Sequence, residues 1–206
     1  VARVLEEPTA AAVAYGLHQS PHVHHVLVYD FGGGTLDVSI LYMSEGAATV
    51  IGTAGDDYLG GEDFDHCLME HLLGGTQGQS QNSNLSPEHL ERFAQSVEAL
   101  KRRMSDSAPA TPHTVTLPGG GQATVTRSDF EQACDALFQR GLLPVHIALQ
   151  SSGLVAQELD AVVLVGGSTR MPKIQELLEI IVSRDKIHND IDPDIAVAVG
   201  AARIVD

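Results

Sequence analysis

The segment Val26–Leu41, VLVYDFGGGTLDVSIL, constrains this chain more than any other. An apolar strand runs into three glycines and a threonine, then out into a second apolar strand. Consecutive glycines weaken a hairpin, because they pack nothing and lose much backbone entropy, unless the bare backbone is itself of use. One such use is close approach of a phosphate, whose oxygens accept from backbone N–H groups in a tight turn. Gly32, Gly33 and Gly34 supply that backbone and Thr35 adds a hydroxyl. Asp30 and Asp37 flank the turn, and carboxylates there can hold a hydrated Mg²⁺, which keeps several waters and shares phosphate oxygens. The competing reading is an ordinary glycine turn with two solvated aspartates. Neither a Walker lysine motif nor G-x-G-x-x-G occurs, so the common phosphate loops are not the template.

A second strand-to-glycine junction, VVLVGGSTRMP at Val162–Pro172, repeats the theme with a helix after it. A helix N-terminus adds positive potential for an anionic or polar ligand. Arg170 can stack its guanidinium on an aromatic base, or be a surface arginine after a turn. Glu98, Lys101, Arg102 and Ser105 recur at i, i+3, i+4 and i+7, one stripe of a helix. Taken by itself, that stripe reads as a solvated face with Glu–Lys and Glu–Arg pairs.

Around these motifs the pattern predicts a helix over Glu6–Leu17 and meander strands at Val26–Asp30, Leu36–Met43 and Ala47–Thr53. A helix from Gly60-Gly61 to Leu73 follows, then the polar, uncharged, flexible connection 74–85. Ser86 and Pro87 start a long helix to Met104. A hairpin pairs Thr114–Leu117 with Ala123–Thr126 across PGGGQ, and Ser128-Asp-Phe-Glu131 reads as a capping box. It opens a helix toward Gln150 that Gly141 and Pro144 bend. The strand Ala161–Val165, a helix over Pro172–Val182 and a last helix from Asp192-Pro193 complete the chain. The class is α/β layers with a helix-hairpin subdomain inserted near 60–127.

Composition narrows the function. Twelve Lys and Arg against 27 Asp and Glu leave a net charge of −15, which repels duplex phosphate and argues against nucleic acid as a partner. No apolar run reaches the roughly 18 residues of a membrane helix. Cys67 and Cys134 share no Cys-x-x-Cys spacing, so two buried free thiols are expected, with a disulfide the alternative. His18, His22, His24 and His25 fall around one loop without a carboxylate or thiol at fixed spacing, a poor basis for a metal site. No H-E-x-x-H or G-x-S-x-G element occurs. The chain opens at Val1 directly into patterned sequence, as a fragment would.

The strings EEPTAAAVAYGL, DFGGGTLDVSIL, TAGDDYLGGEDFD, VVLVGGSTRMPKIQ and DPDIAVAVGAA, in this order, resemble the heat shock protein 70 chaperone family among the actin-like ATPases. The resemblance implies an actin-like ATPase (ribonuclease H-like) lobe, the second of two around a nucleotide cleft, with residues 1–59 and 128–206 as one subdomain and 60–127 inserted. It implies ATP or ADP and Mg²⁺ as ligands, with Glu7, Asp30 and Asp37 serving the metal, its waters and the attacking water. Gly32, Gly33, Gly34 and Thr35 resemble the second phosphate turn. Glu98, Lys101, Arg102 and Ser105 resemble the adenosine helix, and Gly166, Gly167, Ser168 and Arg170 the opposite side of the base. Asp194 matches a family aspartate near the nucleoside. Hydrolysis would need a first lobe, whose phosphate loop and lysine have no counterpart in these residues.

Other implied partners are a nucleotide-exchange factor at 60–127 and, through a full-length protein, J-domain co-chaperones and unfolded polypeptides. A non-catalytic docking module at 60–127 is the alternative function. The default compartment is cytoplasmic, with the endoplasmic reticulum lumen the alternative. Leu36 in place of the usual phenylalanine resembles the microsomal branch that lacks a peptide-binding domain. Phe31 for leucine is a tolerable apolar swap, whereas Ala94 for arginine removes one adenosine contact, and the short PGGGQ tip departs from the family's hairpin.

Overall fold

The structure, a computed structural model, describes residues 4–74 and 86–203. The expected connection at 74–85 therefore lies, from residue 75 onward, outside the described residues, as does Val1. The chain forms two compact units, Val1–Gly61 with Arg140–Asp206, and Glu62–Gln139. Among the described residues no helix is long and apolar enough to cross a membrane.

The first unit is built on a five-stranded mixed sheet in the order β3-β2-β1-β6-β7. Its strands are β1 (His25–Phe31), β2 (Leu36–Ser44), β3 (Ala47–Asp56), β6 (Ala161–Val165) and β7 (Ile187–His188). Antiparallel pairing joins β1 to β2 and β2 to β3, while β6 runs parallel to β1 and β7 parallel to β6. The apolar runs explain this layout. Ala161–Val165 is buried at every position, as expected of an interior strand covered on both faces.

On one face Val26, Val28, Leu41, Met43, Val163 and Val165 pack with Ala11 and Ala12 of α1 (Glu7–Ala14). On the other, α6 (Leu143–Ser152) lies over β2 and β3, and the fully buried Tyr29 donates its hydroxyl to the Gly141 carbonyl at 3.0 Å. After α7 (Pro172–Ile181) comes α8 (Ala196–Arg203), on which the alanine-rich α1 packs. There Gly200 is obligatory: a Cβ on it would sit 1.7 Å from the Ala10 carbonyl oxygen.

The second unit contains α2 (Gly61–Gly74) from Glu62 on, α3 (Pro87–Ser105), the hairpin β4 (His113–Thr116) and β5 (Gln122–Val125), α4 (Arg127–Ala133) and α5 (Asp135–Arg140) up to Gln139. It extends past residue 127 because Phe64 of α2 packs on Phe130 of α4 and Phe138 of α5, with ring centroids 6.2 and 4.7 Å away. Ser86 caps α3, accepting from the His89 amide at 3.4 Å, with Pro87 in the first turn.

Several expectations are corrected. Cys67 and Cys134 are not free thiols but a disulfide, with Cα atoms 6.1 Å apart. It closes a loop spanning 67 residues, for which chain entropy gives about 4 kcal/mol. The capping box sits two residues earlier, between Thr126 and Asp129: β5 ends at Val125, so Thr126 is the extended residue able to cap. Ser128 instead donates to the Pro109 carbonyl at 3.2 Å. The bent helix toward Gln150 is three helices, α4, α5 and α6. The last helix begins at Ala196, so Asp192–Asp194 is loop.

Gly200→Ala should lower unfolding free energy by about 1–3 kcal/mol, since α8 must move off α1 to admit a methyl group. Urea denaturation of parent and variant measures it, and equal midpoints would show that the helices do not meet as described.

Candidate phosphate turn and carboxylate cluster

The glycine turn is held by few, specific bonds. The Gly32 amide donates to the Thr35 carbonyl at 3.0 Å and closes the β1–β2 hairpin. The Gly32 carbonyl accepts from the Gly61 amide at 3.0 Å and from Ser168 Oγ at 2.7 Å. Both glycine junctions therefore meet here, because the parallel register pairs Asp30 with Val165 and brings the ends of β1 and β6 level.

Two further glycines let backbone crowd the turn from behind. A Cβ on Gly60 would lie 2.2 Å from the Gly33 oxygen, and one on Gly166, whose φ is +81°, 2.4 Å from the Phe31 oxygen. Gly32 and Gly34 differ. Neither has positive φ, a Cβ on Gly34 would meet nothing within 4 Å, and one on Gly32 would meet only the Thr35 oxygen, at 3.8 Å. The fold has no steric reason for glycine at these positions. Gly33, Gly34 and Thr35 are exposed.

Beside the turn stand Glu7, Asp30 and Asp37. Asp30 and Asp37 are directly opposite each other in the antiparallel ladder, where like charges destabilise a sheet. Asp30 is half-buried, and burial first, then the charges of Glu7 and Asp37, push its pKa up to about 6. Glu7 reaches this place from the exposed first turn of α1, where Pro8 starts the helix. Among the described residues no cationic group lowers the pKa of Asp30, and its charge repulsion with Glu7 and Asp37 is one that a bound cation would relieve. Among the described residues no group of three or more His, Cys, Asp or Glu is close enough to ligate one ion directly. The arrangement suits a hydrated ion held through its waters.

The second junction contributes a short 3₁₀ turn over Gly167–Arg170, with Ser168 buried. Arg170 donates to Asp192 and, at 3.2 Å, to Asp194; both are exposed, and the Asp194 amide in turn bonds Asp192 at 3.0 Å. A Cβ on Gly167 would crowd Asp194 Oδ1 at 3.1 Å. Asp192 was not singled out from the sequence, although it stands two residues before Asp194 in the same DPD string.

The α3 stripe lies on the second unit and divides in two. Glu98 and Arg102 pair at 2.6 Å with side chains 46% and 77% exposed, the geometry of an ordinary solvated i,i+4 pair. Lys101 departs from that picture. It is buried and pairs with Asp65 of α2 at 2.8 Å, while Ser105 Oγ turns back to the Lys101 carbonyl at 3.2 Å. Asp65 has its pKa raised, burial outweighing the Lys101 bond, and among the described residues its buried Oδ1 has no hydrogen-bond partner. Its only sequence signal was membership of the LGGEDFD string.

His18 and His24 line a separate cavity of about 370 Å³ with Met43 and Glu45, near the start of β1 and away from the glycine turn at its end.

The raised pKa of Asp30 predicts a pH signature. Its folded value, about 6, lies above the ordinary 3.8, so the folded state binds this proton more tightly. Stability is then highest below the ordinary value and is lost as pH rises through the folded one. Asp30→Asn should therefore raise Tm at pH 7.5, by on the order of 2–5 °C, and give no gain near pH 3. Thermal melts across pH without divalent cation measure this, and a gain independent of pH would refute the crowded carboxylate.

A family model described as Hsp70 protein matches residues 1–206, the whole chain. The family's members are ATP-binding chaperones, and the mixed α/β unit with its glycine junctions is consistent with an actin-like ATPase lobe. The chain belongs to the Hsp70 family.

Proposed function

We propose that this chain is the nucleotide-binding second lobe of an Hsp70-type, ATP-dependent chaperone, taking ATP or ADP with Mg²⁺. The observation that carries the reading is Gly32 and Gly34. Nothing in the fold asks for glycine there, while Gly60 and Gly166, behind the same turn, are each required by a close backbone contact. Bare backbone is thus kept at the exposed Gly34, where a phosphate would approach, while Gly32, its amide given to Thr35, shapes the turn without a side chain.

The carboxylates fit the metal. Asp30 and Asp37 would hold it through water, and Glu7 would orient the attacking water. When bound, Mg²⁺ supplies the positive charge that offsets phosphate and carboxylate oxygens. Asp30 and Asp37 are set before any ligand arrives, because their strands fix them opposite each other. For the adenosine, Arg170 offers a guanidinium plane on the first unit, in one segment with Gly167 and Ser168 and bonded to Asp194, and Arg102 offers another on the second unit, in one helix with Glu98, Lys101 and Ser105. The Arg170–Asp192 and Arg170–Asp194 bonds hold one guanidinium in place. Hydrolysis draws on a lysine and a first phosphate loop that these residues do not include, so the chain tested alone should bind nucleotide weakly and hydrolyse almost none.

A second reading, docking of a nucleotide-exchange factor on the inserted unit, is favoured by that unit's covalent closure through Cys67–Cys134. The same bond favours the endoplasmic reticulum lumen over the cytoplasm, where thiols are kept reduced. J-domain co-chaperones and unfolded clients remain partners of the full-length protein in this proposal.

Gly34→Val should weaken Mg·ADP binding about tenfold or more, because a side chain intruding on a tight contact costs about 1–3 kcal/mol. Tm should stay unchanged, because a Cβ at Gly34 meets nothing within 4 Å. Isothermal titration calorimetry reads the affinity, and unchanged binding in a folded variant would remove the phosphate role.

Replacing Arg102 by Lys keeps the charge but loses the planar stack, so it should weaken ADP binding nearly as much as Ala, by about 0.5–2 kcal/mol. If both variants match the parent, the stripe is a solvated face only. Exchange-factor binding indifferent to ADP and to Arg102 would then favour the docking module.

A further inference from the structure

Cys67 lies on α2, and Cys134 lies at the end of α4 beside α5. The bond between them encloses in its loop all of α3 and the β4–β5 hairpin. The sulfurs differ in access: Cys67 is half-buried, whereas Cys134 is 1% exposed. Cys134 sits one turn from each of Phe130 and Phe138, bonded to both through its backbone. Half a turn from Cys67 on α2 is Asp65, the partner of the buried Lys101 on α3. The crosslink thus ties down the helix that carries Asp65, a charged partner of Lys101, and through that pair the face of α3.

Both redox states are accommodated. Phe64, Phe130 and Phe138 join the same helices without help from sulfur. A reduced Cys67 thiol has the Ala133 carbonyl as acceptor at 3.7 Å, and a buried Cys134 thiol packs as a small hydrophobe. Reduction therefore loosens the unit without unfolding it.

We propose that Cys67–Cys134 is a thiol–disulfide exchange site that sets the order of the α2–α3 face, and that its reaction partner is a dithiol. A dithiol's thiolate attacks the accessible Cys67 sulfur, the Cys67–Cys134 bond breaks, and Cys134 leaves as a thiolate that takes a proton. The dithiol's second sulfur then displaces Cys67 and closes its own disulfide. Two electrons and two protons pass to the protein, giving two thiols and one oxidised dithiol. A dithiol is required because the expelled Cys134 stays beside the mixed disulfide and re-forms the bond faster than a second monothiol arrives.

The switch is tested without nucleotide. The full chain, isolated without reductant, is compared before and after dithiothreitol by intact mass, thiol alkylation and amide hydrogen exchange. Reduction should add about 2 Da and two alkylatable thiols. It should speed exchange across α3 on the order of tenfold while leaving β1, β2 and β6 unchanged. Glutathione at equal thiol concentration should reduce far less of the chain. A Cys67→Ser/Cys134→Ser variant should exchange like the reduced parent and ignore dithiothreitol. The proposal fails if the isolated chain carries two free thiols, if α3 exchange is the same in both states, or if the two reductants act alike. Should the variant not fold, the chemically reduced parent decides the matter.

Discussion

The parallel register between β1 and β6 is the constraint from which the rest of the first unit follows. Pairing Asp30 with Val165 brings two glycine junctions, remote in sequence, to one end of one sheet. The antiparallel partner β2 returns from the turn and sets Asp37 opposite Asp30. A slip of one residue in either ladder would turn the buried valines outward and separate the carboxylates. The apolar faces against α1 and α6 therefore hold the glycine turn and the facing carboxylates in place. The charged end of the sheet tolerates its own repulsion because burial elsewhere in the sheet outweighs it.

The two kinds of glycine around the turn express that division of labour. Gly60 and Gly166 serve the fold: backbone approaches so closely that any side chain would collide. Gly32 and Gly34 serve no such purpose, and Gly34 is exposed. Asp30 behaves likewise, its charge costing more in the folded chain than in the unfolded one. Residues that are costly or indifferent for stability are gathered at one place, which is how a binding site differs from a core.

Much of this was legible in the sequence, for a physical reason. Strands such as Val26–Asp30 and Ala161–Val165 announce themselves by apolar runs that end in glycine, and Ser86-Pro87 marks a helix start by local chemistry alone. What was not legible depends on contacts between distant segments. The α3 stripe reads as solvated because i,i+4 spacing cannot reveal that Asp65 stands against Lys101. Cys67 and Cys134 carry no spacing signal, since their pairing is made by α2 and α4 packing through Phe64 and Phe130. The capping box slipped by two residues because Ser128 and Thr126 offer the same hydroxyl, and only the end of β5 chooses between them. Gly200 gave no hint either, its neighbour Ala10 lying at the other end of the chain.

The second unit is one uninterrupted stretch, Glu62–Gln139, whereas the first is assembled from chain on either side of it. During synthesis from the N-terminus, β1, β2 and β3 emerge early and must wait for β6 with one flank of β1 uncovered. The inserted unit, whose own contacts are all at hand, can fold in that interval. Once folded, it is no longer a flexible loop between Glu62 and Gln139, which shortens the effective loop that β6 must close. An insertion that looks like an interruption of the sheet would thus act as a timer for it.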